Sequence, residues 1–138
     1  MQNFVEWMNK YATGIDFIDE QHKILIKIIN DLYSGLQNCS LNKAEVFRKA
    51  ASQAVEYVKK HFSEEEEWML ANDYPKYKYQ KSEHDRFIRK LIEDSEKFRD
   101  YNPKSAFDFV TFLRDWLISH IAIADNDFRF HNEKIKKN

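Results

Sequence analysis

Apolar side chains recur along four stretches of this chain at alternating intervals of four and three residues, the spacing that lines one face of an α-helix. The first seam is Ile18, His22, Leu25, Ile29, Leu32 and Leu36, and it predicts a helix from about Ile18 to Leu36. The second is Phe47, Ala51, Ala54, Val58, His61, Glu65 and Trp68. Asn42 followed by Glu45 resembles a capping box at its start, and Asn72-Asp73-Tyr74-Pro75 breaks it, because the residue before a proline disfavours helix. A third helix is expected over roughly Pro75 to Arg99, with Tyr77, Gln80, His84, Phe87, Leu91 and Phe98 inward and Ile88 and Ile92 flanking them. Asn102-Pro103 opens the fourth, whose seam is Ala106, Phe109, Leu113, Trp116 or Leu117, His120 and Ala124. Residues 1–17 read as an aromatic-rich arm with Phe4, Trp7, Tyr11 and Phe17, turning at Gly14, and residues 128–138 as a polar, frayed or lightly docked tail.

Composition narrows this picture to one fold class. Two Gly and two Pro leave little turn chemistry for a many-stranded sandwich or barrel. A chain of 138 residues, 43% of them hydrophobic, suits one domain with one sizeable core, and no internal repeat or linker interrupts it. The expected fold is all-α, an antiparallel up-down-up-down four-helix bundle over about residues 18–127 with an N-terminal arm. A net charge of -1 with no basic stripe argues against nucleic acid as a partner. The absence of a long apolar run and of a basic segment before one argues against a membrane span or a secretory signal. A lone cysteine, Cys39, excludes a disulfide framework and fits a reducing, cytoplasmic setting. A monomer is expected.

The seams carry polar residues where a plain bundle would place Leu or Ile. His22 lies near the start of helix one, His61 and Glu65 late in helix two, Gln80 and His84 near the start of helix three, and His120 late in helix four. In an up-down-up-down bundle the starts of the odd helices meet the ends of the even ones, so these residues converge in one layer. A single seam histidine is more often a hydrogen-bonded core residue; four at one level reverse that reading. Buried imidazoles and a carboxylate need partners, and a metal satisfies them, with iron, manganese and zinc all suited to such donors. No histidine follows a Glu at the Glu-x-x-His spacing of ferritin-like dimetal proteins. Glu64, Glu66 and Glu67 read as a solvated helix face, and His131 as a surface residue.

These residues also carry a resemblance. Thr13 to His22 (TGIDFIDEQH) is similar to the Gly-Ile…Ile-Asp-x-Gln-His segment of the hemerythrins, and specifically of the single-domain bacteriohemerythrins. His61 to Met69 (HFSEEEEWM) resembles their His-Phe-x-x-Glu-Glu-x-x-Met, and Trp116 to Asp125 (WLISHIAIAD) their Trp-x-x-x-His-Ile-x-x-x-Asp. Tyr74-Pro75 followed by His84 looks like their third-helix start.

The resemblance implies a non-haem di-iron centre of two iron ions. His22 and His61 would hold the iron with an open position for dioxygen, and His84 and His120 the other. Glu65 and Asp125 would bridge the pair together with an oxo or hydroxo group. Asp125 is five residues after His120, about 140° round an ideal helix, so the family pattern alone proposes it. Gln80 stands where that pattern has a further ligand histidine. An amide oxygen is a poorer donor, so that iron is expected to be bound more weakly or to be more open. The function implied is oxygen storage, delivery or buffering, not enzymatic turnover. The alternatives are a di-iron redox enzyme acting on peroxide or nitric oxide, and an oxygen or redox sensor, ranked low because no second domain is visible to receive a signal.

Overall fold

The computed structural model describes residues 4–37, 43–96 and 102–137, with the side chains at 37, 43, 124–126 and 137 outside that description. Four helices carry the chain: α1 (Asp16–Gln37), α2 (Lys43–Ala71), α3 (Tyr77–Glu96) and α4 (Pro103–Lys137). No strand occurs among the described residues. Each helix packs on its neighbours in sequence, and α4 closes the ring against α1. This is the four-helix bundle that the seams predict.

The inward register agrees with the seams because four-three spacing fixes which face each helix can bury. Ile18, Leu25, Ile29, Leu32, Phe47, Ala51, Ala54, Val58, Phe87, Leu91, Ala106, Phe109 and Leu113 are all buried. Leu117, not Trp116, is the fully buried member of that pair on α4; Trp116 packs against the core from its edge.

Local chemistry sets the helix ends. α2 stops at Ala71, and Asp73 takes a left-handed conformation (φ 52°) that lets Tyr74 N–H reach the Met69 carbonyl at 2.9 Å. That six-to-one bond is a Schellman closure, so a left-handed aspartate ends the helix ahead of Pro75. Asn102 Oδ1 accepts from Lys104 N–H at 2.8 Å and caps α4. Asn42, Cys39 and Phe98 lie outside the described residues.

The arm is docked. Asn30 Oδ1 accepts from Val5 N–H and its Nδ2 donates to Val5 O, each at 2.8 Å. Gly14 turns with φ 82°, and Asp19 accepts from Thr13 N–H, Thr13 Oγ1 and Gly14 N–H, tying the turn to the first turn of α1. Arg129 on α4 donates to the Ala12 and Lys10 carbonyls.

The tail departs from expectation. Instead of fraying from residue 128, α4 runs on through Lys137, and Phe128 is completely buried. It packs with Ile15, Ile18, Met69 and Tyr74 in a second apolar cluster at the bundle end. The extended α4 adds Phe128 to the residues that α1, α2 and the α2–α3 connection contribute there.

Candidate metal centre

Four histidines and one glutamate meet in a layer between the two apolar clusters. His22, His61, Glu65 and His84 are completely buried, and His120 is 8% exposed. They come from four helices, and each is delivered by the seam position that a Leu or Ile would otherwise hold. Glu65 lies at the centre. Its Oε2 is 2.8 Å from His61 Nε2 and 3.2 Å from His22 Nε2, and its Oε1 is 3.3 Å from His84 Nε2 and 3.6 Å from His120 Nε2. The donors thus divide into two groups that share one carboxylate, each compact enough for a metal ion: His22, His61, Glu65 and Glu65, His84, His120.

The outer faces of two rings are fixed by hydrogen bonds. Gln21 Nε2 donates to Glu64, so its Oε1 is the atom that faces His61 Nδ1 at 2.7 Å, and that nitrogen must carry the hydrogen. His84 Nδ1 donates to the Glu66 carboxylate at 2.8 Å, and Lys81 holds the other Glu66 oxygen at 3.2 Å. Both assignments leave the Nε2 lone pair pointing inward, the tautomer a metal requires.

That protonation pattern tests the fit to a metal. The lone pair of His61 Nε2 and a Glu65 oxygen are both acceptors, and they stand 2.8 Å apart without a hydrogen bond. Glu65 Oε1 and His22 Nδ1 are buried and also lack any hydrogen bond. Across the second group, His84 Nε2 and His120 Nε2 face each other at 3.4 Å. Converging acceptors in a dry core are strongly unfavourable unless a cation lies among them.

At neutral pH the electrostatics of His61, His120 and Glu65 agree with this. Burial pushes His61 below the ordinary histidine value, and pushes His120 down to about 4. Burial alone would raise Glu65, but the imidazoles of His61, His120 and His22 gathered around it hold it well below the ordinary carboxylate range. His84 resists burial in the other direction: the Glu65 and Glu66 carboxylates lift it above the usual value. Neutral imidazoles at His61 and His120 beside an ionised carboxylate are the form in which these side chains act as ligands.

Aromatic rings wall the layer. Phe62 stacks flat on His84, with centroids 3.8 Å apart and planes 3° from parallel, and Trp116 stacks on His120 at 4.6 Å. Leu117 and Ile121 are buried beside them.

Gln80 is buried on the same face of α3, one turn before His84. The side chain of Asp125 lies outside the described residues; its backbone belongs to α4. Two sequence readings need correction. Glu64 and Glu66 are not simply solvated, since they hold Gln21 and His84 in place, and of the three only Glu67 is exposed. His131 is half-buried, bonded through Nε2 to the Asn72 carbonyl at 2.7 Å and packed edge-on against Tyr74 and Trp68. Gln21, Glu64 and Glu66 were absent from the expected site, although Gln21 and Glu66 sit beside His22 and Glu65 in the quoted motifs.

The hemerythrin HHE cation-binding domain matches residues 13–129. The chain belongs to the hemerythrin family. It is 32% identical to a bacteriohemerythrin of Clostridium acetobutylicum over 124 residues, 88% of this chain and 96% of that protein. It is 29% identical to a bacteriohemerythrin of Methylococcus capsulatus over 116 residues, 84% of this chain and 86% of that one. Among solved structures, the crystal structure of a hemerythrin single-site mutant superposes with a TM-score of 0.78 at 26% identity, covering 90% of this chain and 93% of that one. The two metal-sized groups therefore sit in a cation-binding domain of a non-haem di-iron family.

Proposed function

We propose that this hemerythrin-family chain binds dioxygen reversibly at a pair of irons and serves to store, deliver or buffer oxygen. The observation that carries the reading is the sharing of one buried carboxylate, Glu65, between two imidazole groups. His22 and His61 would hold one iron and His84 and His120 the other, with Glu65 and Asp125 bridging them. The iron pair, when bound, supplies two electrons reversibly to dioxygen. The chain supplies the rest. Gln21 and Glu66 orient His61 and His84, and Phe62, Trp116, Leu117 and Ile121 exclude water. A cytoplasmic monomer is the state proposed; no described helix is long and apolar enough to cross a membrane.

Iron analysis and absorbance under cycles of dioxygen and argon test this reading. About two irons per chain and a reversible spectral change support it; a metal-free protein, or a change that never reverses, overturns it. A second reading, a redox enzyme for peroxide or nitric oxide, is favoured by one observation: Gln80 occupies a buried position beside the second group and lines a half-open cavity with His120. Turnover of peroxide or nitric oxide by the iron-loaded protein separates the two.

A further inference from the structure

A half-open cavity of about 70 Å³ lies between α3 and α4 and ends on the His84–His120 half of the metal layer. Gln80, Trp116 and His120 form its floor, with Tyr79, Glu83 and Ser119 toward the rim. The volume exceeds the roughly 10–15 Å³ that one water needs. Gln80 is only 2% exposed, and its side chain lines this cavity together with His120. The Gln80 amide offers N–H donors that an unprotonated, metal-bound imidazole nitrogen would not, and donors suit an anion. The acid among these lining residues, Glu83, is paired with Arg86 at 3.4 Å.

We propose that this cavity is a second binding position for a small exogenous anion, placed at the His84–His120 metal and hydrogen-bonded by the Gln80 amide. The inference rests on the two-iron reading above and adds to it a ligand position on the half of the centre opposite His22 and His61. An amide is a poorer donor to a first-row metal than an imidazole, and the cavity gives this side of the metal layer a route to solvent.

Azide is the probe, added to the oxidised protein after its iron content has been measured. Calorimetric and absorbance titrations are expected to give two azides per chain for the natural sequence, one at each iron. Gln80→His should reduce this to one by restoring an imidazole donor. Ser119→Phe, at an exposed rim position whose side chain is not among the ligands proposed, should leave the iron content unchanged and weaken the second azide at least tenfold. A single azide on the natural sequence overturns the proposal, as does a second azide that survives both substitutions. Fewer than two irons per chain, seen before any azide is added, overturns the two-iron reading and the proposal with it.

Discussion

Glu66 on α2 accepts the Nδ1 hydrogen of His84 on α3 at 2.8 Å, and so decides which nitrogen of that ring faces the metal layer. The bond joins two helices eighteen positions apart in sequence. Removing the acceptor frees the ring to rotate and to change tautomer. Glu66→Ala is therefore expected to lower metal affinity by about 10–100-fold while leaving the helical content intact. Competition with a chelator, followed by circular dichroism, checks both halves. Affinity equal to the natural protein would mean that Phe62 stacking alone positions His84.

Glu65 is the one described carboxylate that both metal groups share. Glu65→Ala should therefore remove both irons, not one, whereas His120→Ala should affect chiefly the half that contains His84. Elemental analysis of the two variants, purified side by side, distinguishes these patterns. Asp125→Asn belongs in the same series: if Asp125 bridges the pair as proposed, iron content falls with the fold preserved, and full occupancy would remove it from the ligand set.

Gln80→His bears on the stability of the loaded centre. An imidazole at this buried position adds a stronger donor than an amide. The expected outcome is tighter iron binding and slower autoxidation, measured as the rate of loss of the reversible dioxygen response. Unchanged iron content and autoxidation would show that position 80 does not influence the metal.

Phe128 tests the role of the extended α4. Its ring is completely buried between Trp68 and Tyr74, at centroid distances of 5.4 and 5.0 Å. Truncation to Ala leaves a cavity and should cost about 3–5 kcal/mol in urea unfolding. A loss below 1 kcal/mol would mean that the bundle end collapses around the gap.

Asp19 tests how the arm is held. It accepts three hydrogen bonds from Thr13 and Gly14, and Thr13 is completely buried. Asp19→Ala strands those donors and is expected to destabilise the protein by about 1–3 kcal/mol. Faster proteolysis within residues 4–15 should accompany it, and an unchanged cleavage rate would place the anchorage elsewhere, at Asn30 or Arg129.

The sequence by itself determined the four helices, their inward faces and the level at which His22, His61, Glu65, Gln80, His84 and His120 meet. It could do so because helical periodicity is local: residues three and four apart must share a face, and an antiparallel bundle then fixes which ends adjoin. What only the tertiary structure decided are the contacts between side chains that no periodicity relates. Gln21 and His61 are forty positions apart, His131 and the Asn72 carbonyl fifty-nine, and Arg129 and the Ala12 carbonyl more than a hundred. Whether Glu66 is a solvated acid or the anchor of a ligand depends on a ring delivered by another helix. Whether the chain beyond Phe128 frays or folds depends on an apolar surface assembled from α1, α2 and the α2–α3 turn. Those outcomes follow from burial and hydrogen bonding across elements, which exist only once the helices have packed.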